Sequence, residues 1–150
     1  VLMIIGEAPG EREDNLGLPF VGAAGKELDN ILNIAGVNRE DIYITNVVKC
    51  RPPENRNPKP DEIASCNGYL RAQLKIIDPK SIVLLGNIAL YLVTGNMGGI
   101  TKSRGKKMKY LTYTVIPSFH PSYVIRNPES KALVVGDIKK ATRVIDTWNE

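Results

Sequence analysis

Short, continuously apolar runs alternate along this chain with longer segments whose apolar residues recur at helical spacing. Continuous apolar runs of a few residues are typical of strands that are buried on both faces, as in parallel sheets. The sequence predicts such strands at Leu2–Ile5, about Ile42–Val48, Ile82–Leu85 and about Tyr113–Ile116. This alternation is the strongest constraint on the fold, because consecutive parallel strands require a crossover between them, usually a helix.

The segments between the runs supply those crossovers. Helices are predicted from about Ala23 to a stop at Gly36, from Lys59 to Asp78, from Gly86 to about Val93, and from about Ser130 to Trp148. A proline-rich stretch over Arg51–Pro58 and a Gly- and Lys-rich stretch over Gly95–Lys109 are predicted as loops.

Together these elements predict an α/β fold: a three-layer α/β/α domain with a central, mainly parallel four-stranded sheet. A chain of 150 residues is long enough for one domain with a real core, and we expect residues 1–150 to form a single domain. The chain has no initiator methionine and Val1 already begins a strand-like run, so we also expect a segment upstream.

Composition narrows the function classes without choosing one. A net charge of +4 and a pI near 9.1 are compatible with a polyanionic partner, but a solvated basic face gives the same values. No apolar run approaches the length of a membrane span, and no signal peptide is recognisable. The two cysteines do not suggest a disulfide framework, so we expect an intracellular, cytoplasmic protein.

Three polar loops follow predicted strands one, two and four, at the strand ends where open parallel sheets bind ligands. The first runs from Gly6 to Gly10 and matches neither the dinucleotide nor the phosphate-loop glycine pattern, so we expect no nucleotide cofactor. Acidic residues, among them Glu7 and Glu13, lie in or just after this loop. They form either a solvated acidic turn or a carboxylate that orients water or stabilises a developing cation.

Asn46 and His120 are the polar residues of interest in the other two loops. The Asn46 amide offers a donor and an acceptor suited to the edge of a pyrimidine, although for this residue alone an asparagine that caps its own turn is the more common case. His120, the single histidine, is either structural or a donor to an oxygen that gains charge in a transition state. One histidine and two cysteines cannot complete a four-ligand metal site within these residues.

Two further features have a structural and a functional interpretation. Phe20 fits a core position or a platform that stacks on a base. A basic segment that includes Lys106 and Lys107, with Arg56 in the loop after strand two, fits a solvated face or a phosphate-contact surface.

Four motifs in order along the chain resemble those of family 4 uracil-DNA glycosylases, which are iron–sulfur enzymes. They are Gly-Glu-Ala-Pro-Gly at 6–10, Pro-Phe-Val-Gly at 19–22, Ile-Thr-Asn-Val-Val-Lys-Cys-Arg-Pro-Pro-Glu-Asn-Arg at 44–56, and His-Pro-Ser at 120–122. Each motif is weak alone, but their joint order and spacing are specific and cover nearly the whole chain. The resemblance implies an enzyme that flips uracil out of DNA and hydrolyses its N-glycosidic bond.

The resemblance also implies roles for individual residues. Phe20 is the residue that stacks on uracil, and Asn46 reads its polar edge. His120 donates to the uracil oxygen that becomes anionic, while Glu7 positions water or stabilises the sugar cation. Further positions implied at the uracil pocket or the catalytic centre are Gly6, Ala8, Glu13 and Asn55.

The segment after His120 resembles the loop that enters DNA where the base has left. Ser122 and Tyr123 lie in it, its aliphatic residues act as a wedge, and Arg126 meets phosphate. The implied partner is uracil-containing DNA, the product is free uracil, and we expect a monomer.

The family carries a structural [4Fe–4S] cluster held by four cysteines, and Cys50 and Cys66 match two of them. The other two are expected upstream of Val1; otherwise the cluster is absent and Cys66 is a buried thiol. Two further alternatives remain open: a non-catalytic DNA-binding module on the same fold, or a glycosylase for another base such as hypoxanthine or mismatched thymine.

Overall fold

The computed structural model describes residues 2–6, 22–46, 72–94, 99–110 and 112–148. Its sheet contains five strands: β1 (Leu2–Gly6), β2 (Ile42–Asn46), β3 (Ser81–Leu85), β4 (Met108–Tyr110) and β5 (Tyr113–Ser118). The strand order is β2-β1-β3-β5-β4. The neighbouring pairs β1–β2, β1–β3 and β3–β5 are parallel, and β4 joins β5 in the antiparallel sense.

The mainly parallel sheet is confirmed, and the predicted count of four strands becomes five. The additional strand, Met108–Tyr110, lies in the Gly- and Lys-rich segment that was predicted as a loop. This strand was missed because it is short and lies at the sheet edge, where Lys109 is exposed and no apolar run develops.

The two central strands explain why continuous apolar runs gave the clearest signal. Every residue of β1 and of β3 is buried, and Ile4 and Val83 are completely inaccessible to solvent. Burying one such aliphatic side chain contributes roughly 1.5–3 kcal/mol. These two strands therefore anchor the core on which the outer strands and the helices pack.

The described helices are α1 (Ala23–Ala35), α2 (72–77), α3 (Asn87–Thr94), α4 (Ile100–Ser103), α5 (Pro121–Arg126) and α6 (Lys131–Trp148). Short 3-10 turns lie at Arg39–Asp41 and Pro128–Ser130. The predicted stop of the first helix at Gly36 is confirmed. Helix α5 was predicted as part of a loop, because six residues are too few to show a helical period.

Hydrogen bonds from α2 and α6 to the sheet show that helices cover both of its faces. On one face, Gln73 of α2 donates to the Tyr43 hydroxyl. On the other, Ser118 of β5 donates to Asp137 of α6. The strand register places Tyr43 and Ser118 on opposite faces, since successive side chains alternate. The predicted three-layer arrangement is thus confirmed. Within the described ranges, no helix has the length and apolar character needed to cross a membrane.

Candidate active site

The strand order creates a crevice at the carboxyl edge of the sheet. The chain runs from β1 to β2 on one side and then to β3 on the other, so the order reverses between β1 and β3. Ligands of open α/β sheets bind outside the carboxyl ends of the strands at such a reversal. Gly6 pairs with Asn46 in register, so the ends of β1 and β2 lie side by side at this edge. The ends of β3 and β5 continue the same edge, with Leu85 opposite Ser118.

A cavity of about 300 Å³ opens at the ends of β3 and β5. Its lining includes Gly86, Asn87, His120, Ser122, Tyr123 and Arg126. Three of the predicted DNA-contact residues and the predicted catalytic histidine thus surround one concavity, on the edge where Gly6 and Asn46 also end their strands.

The His120 ring is held by the first turn of helix α5. His120 is the N-cap residue, and its Nδ1 accepts a hydrogen bond from the Ser122 backbone N–H at 3.1 Å. The Ser122 hydroxyl lies 2.5 Å from the same nitrogen. A ring nitrogen that accepts an N–H carries no proton itself, so the neutral ring bears its hydrogen on Nε2. This hydrogen-bond pattern makes Nε2–H a donor whose direction is set by the helix cap.

Gly86 supports the other side of His120. Its φ of +94° lies in a region that favours glycine, and its N–H donates to the Ser118 carbonyl at 2.9 Å. A Cβ at this position would lie 3.4 Å from the His120 Cβ. That distance is an ordinary van der Waals contact, so the end of β3 packs directly against the histidine, and the positive φ is what requires glycine here.

A buried carboxylate lies behind this edge. Asp137 of α6 is 2% exposed and accepts from the Ser118 hydroxyl at 2.6 Å and from Arg104 Nη2 at 2.8 Å. The hydrogen bond to Asp137, aided by the charge of that carboxylate and opposed by burial, raises the pKa of Arg104 above its ordinary value. Because the raised pKa belongs to a base, its contribution to stability is present throughout the neutral range and is lost as alkaline pH rises through the pKa of Arg104.

The predicted DNA-contact residues that the structure describes lie near the carboxyl edge of the sheet. Tyr123 is partly exposed and stacks on Phe119 with ring centroids 4.5 Å apart. Ile125 is 47% exposed on the same short helix, and Arg126 is exposed beside it. Lys106 and Lys107 are both exposed and follow Gly105, whose N–H donates to the Pro117 carbonyl near the end of β5. The basic segment therefore starts at the carboxyl edge.

The structure brings together some of the predicted site residues and leaves others untested. Gly6, His120, Ser122, Tyr123, Arg126, Lys106 and Lys107 are described, and so is the backbone of Asn46. The predicted residues outside the described ranges are Glu7, Ala8, Glu13, Phe20, Asn55 and Arg56, together with Cys50 and Cys66.

Sequence reasoning missed Gly86, Asn87, Ser118 and Asp137. Gly86 and Asn87 follow a buried strand, which is the signal that selected Asn46. The carboxylate of Asp137 interrupts the apolar stripe of α6, flanked by buried Val134 and Ile138, and an acid in such a stripe was a usable signal.

The fold and the residues at the carboxyl edge define a class of protein. It is a doubly wound α/β domain with a histidine, glycines and basic residues around a crevice at that edge. A family described as the uracil DNA glycosylase superfamily matches residues 1–149. The chain belongs to the uracil-DNA glycosylase superfamily.

Curated relatives agree with this assignment. A type-4 uracil-DNA glycosylase from Thermotoga maritima is 50% identical over 148 residues, which covers 96% of this chain and 77% of the relative. One from Sulfurisphaera tokodaii is 47% identical over 148 residues, covering 93% and 67%. One from Saccharolobus solfataricus is 43% identical over 155 residues, covering 97% and 72%.

Proposed function

We propose that the protein is a monofunctional uracil-DNA glycosylase, which removes uracil from DNA by hydrolysis and leaves an abasic site for repair. The relatives named type-4 uracil-DNA glycosylases support this reaction through their high identity over nearly the whole chain. The structural observation that carries the proposal is His120 at the carboxyl edge, with Nδ1 occupied as an acceptor. This arrangement provides one oriented N–H donor for a leaving group.

In the proposed reaction the uracil nucleotide leaves the base stack and enters the crevice. The bond between the sugar C1′ and uracil N1 breaks, and its electron pair stays on the base, where the carbonyl oxygens gain negative charge. His120 Nε2–H donates to one of these oxygens, and removing a donor of this kind costs about 2.7–4 kcal/mol in other enzymes. Water adds its oxygen to C1′, and its released proton neutralises the uracil anion.

We propose that the neighbouring strand ends select the base. Asn46 at the end of β2 reads the polar edge of uracil, beside Gly6 at the end of β1. Phe20 stacks on the base, Glu7 positions water or stabilises the sugar cation, and Glu13, Ala8 and Asn55 complete the pocket. These last five residues lie outside the described ranges, so their roles rest on the motif resemblance.

The proposed DNA surface has two parts. Ser122, Tyr123 and Arg126 lie on helix α5, which we propose as the wedge. Lys106 and Lys107, together with Arg56 outside the described ranges, are proposed to contact phosphates. Exposed Ile125 on α5 supports the wedge role, since a base step can be opened by an inserted apolar side chain. We further propose that residues 1–150 act as one glycosylase domain, as a monomer and on cytoplasmic DNA, releasing free uracil.

We also propose that Cys50 and Cys66 supply two of the four thiolates of a structural [4Fe–4S] cluster. Two thiolates are the right ligand type but half the number, so the remaining pair has to come from outside these 150 residues. Both cysteines lie outside the described ranges, and within those ranges no three candidate metal ligands cluster. The cluster would supply structural support between the segments that hold the cysteines, and the proposed chemistry uses none of its atoms.

The test is excision from a labelled oligonucleotide that carries one uracil, followed by alkali to cleave abasic sites. Matched oligonucleotides with thymine or hypoxanthine at the same position are the controls. Cleavage confined to the uracil strand is the expected result. Binding of the oligonucleotide without cleavage would identify a DNA-binding module instead, and cleavage of the hypoxanthine strand alone would reassign the substrate.

A further inference from the structure

Asp137 forms a buried hydrogen-bond network that the proposed chemistry does not use. Its Oδ1 accepts from Arg104 Nη2 at 2.8 Å, and its Oδ2 accepts from Arg104 Nε at 3.2 Å and from Ser118 Oγ at 2.6 Å. Both carboxylate oxygens are therefore occupied by donors. Among the described side chains, Asp137 is the one ionisable group that is buried, with 2% exposure. A buried charge is costly unless it is paired and hydrogen-bonded in this way.

The network meets the sheet at the residue from which the histidine loop departs. Ser118 is completely buried, is the last residue of β5, and precedes His120 by two positions. Its hydroxyl is bonded to Asp137, while its carbonyl accepts from the Gly86 N–H. Gly86 in turn lies against His120. Side chain and main chain of Ser118 are thus both fixed, one by helix α6 and one by the end of β3.

A second contact brings Asp137 against the same strand end. Gly105 donates its N–H to the Pro117 carbonyl at 2.9 Å, and a Cβ on Gly105 would come within 2.9 Å of Asp137 Oδ1. The Lys140 ammonium donates to the Gly105 carbonyl at 2.6 Å. The last two residues of β5 are therefore enclosed between α6 and the turn that contains Arg104 and Gly105.

We propose that Asp137 is a positioning residue for His120, acting through the Ser118 hydroxyl. The proposal rests on the glycosylase function proposed above and assigns this network to its chemical step. A stabilising role alone does not require a charge here, because replacing a buried ion pair by apolar residues of similar volume is often neutral or stabilising. A carboxylate can in addition fix the orientation of the Ser118 hydroxyl. This hydroxyl lies at the end of β5, and that strand end sets the position of the His120 Nε2 donor.

The test compares single-turnover excision by Ser118→Ala and Asp137→Asn with the unmodified protein. Ser118→Ala removes only the hydroxyl and leaves Arg104 on Asp137, so it preserves the fold most closely. We expect it to slow the chemical step about tenfold, and Asp137→Asn to slow it about 10–100-fold, since sub-ångström to 1 Å misplacement of a catalytic group has costs of this order. DNA affinity of Ser118→Ala, measured separately, should be unchanged.

A double-mutant cycle distinguishes positioning from general stabilisation. If Ser118 acts through His120, the Ser118→Ala change should have no further effect on the excision rate in a His120→Ala background. Asp29→Asn is the matched control, because it removes a carboxylate that pairs with Arg39 at 2.8 Å away from the crevice. It should leave the rate unchanged.

The outcomes separate the two proposals. If the unmodified protein excises nothing, the proposed function fails and this inference falls with it. If the unmodified protein is active and folded Ser118→Ala excises uracil at its rate, the inference alone fails. Equal rate losses from Ser118→Ala with and without His120 would also overturn it, because the serine would then act independently of the histidine.

Discussion

The two edges of the sheet both carry a cavity, and the larger one is at the edge without the site residues. At the amino edge, a concavity of about 950 Å³ lies between the end of α1 and the 3-10 turn that precedes β2. At the carboxyl edge, the cavity beside His120 measures about 300 Å³. Size alone would select the amino edge. Topology selects the carboxyl edge, because parallel strands direct their ligand-binding loops there.

The side chains around the two cavities are also held differently. The amino-edge cavity is lined by surface residues such as Asp29 and Arg39, whose ion pair at 2.8 Å leaves them 51% and 34% exposed. Exposed pairs of this kind contribute about 0–1 kcal/mol. The carboxyl edge instead has buried Ser118 and Asp137 behind His120. The carboxyl edge is therefore distinguished by the buried polar groups behind its cavity and not by the volume of that cavity.

The largest expected contrast between the edges comes from Asn46→Asp. The change keeps the size of the side chain but removes an amide donor and adds a negative charge where uracil presents a polar edge. Because a recognition site that leaves polar groups unpaired discriminates strongly, we expect uracil excision to fall by roughly 10³-fold or more. Excision rates on the uracil oligonucleotide measure this directly.

The matched change at the other edge is Asp29→Asn, which exchanges the same two functional groups. It should leave excision unaltered. An unchanged rate for Asn46→Asp would remove Asn46 from the site and, with it, the argument that the end of β2 reads the base.

His120→Ala is expected to have the next largest effect. Loss of one oriented donor to a developing anion should slow the chemical step by about 10²–10³-fold. DNA affinity should remain near that of the unmodified protein, because the donor acts on charge that develops only in the transition state. Single-turnover rates and equilibrium binding to a uracil oligonucleotide separate the two quantities; a variant that binds poorly but reacts normally would contradict the donor role.

Reversing the charge of Lys106 and Lys107 to Glu tests the surface beside the crevice. Two lost phosphate contacts should weaken DNA binding about tenfold or more and reduce the slope of log affinity against log salt by about two. Binding titrations at several salt concentrations measure that slope. Arg39→Glu makes one such reversal at the amino edge. A change in slope half as large there would mean that the basic segment acts only through net charge.

The central parallel strands of this fold were predictable, and the outermost strand, β4, was not. β1 and β3 are buried on both faces, so their apolar runs are continuous, and the prediction of their position and type is confirmed. β4 has three residues at the sheet edge and depends on pairing with β5, which is a contact that a local pattern does not contain. Helix α5 was also missed. Pro121 in its first turn is a helix start signal, but the six residues of the helix are too few to show a helical period.

The residues of the candidate site also differ in how well the sequence predicts them. His120 was predictable as a polar residue just past an apolar strand, and the structure places it at the cavity with Ser122 and Arg126. Asp137 carried a local signal, as an acid within the apolar stripe of α6, but its place at the end of β5 was not predictable because it depends on the packing of α6 on the sheet. Candidate site residues in the loops can be selected from the sequence, whereas the buried polar groups behind them are brought together by tertiary packing.

Gly86→Ala is expected to have the smallest effect at the carboxyl edge and makes the finest comparison between the two edges. Gly86 has a φ of +94°, and an added Cβ would lie 3.4 Å from the His120 Cβ. The backbone strain should lower the free energy of unfolding by about 1–2 kcal/mol. Because Gly86 lies against His120, the backbone shift that relieves this strain should also displace the histidine and slow excision severalfold.

Gly36→Ala is the matched control, because Gly36 has a φ of +76° at the amino edge and an added Cβ would meet no atom within 4 Å. It should lower the free energy of unfolding by a similar amount, measured by urea denaturation, and leave the excision rate of the folded protein unchanged. Since both variants carry the same kind of backbone strain, the difference between their excision rates isolates the contact with His120. Equal rates for the two would mean that the end of β3 does not influence the position of the histidine.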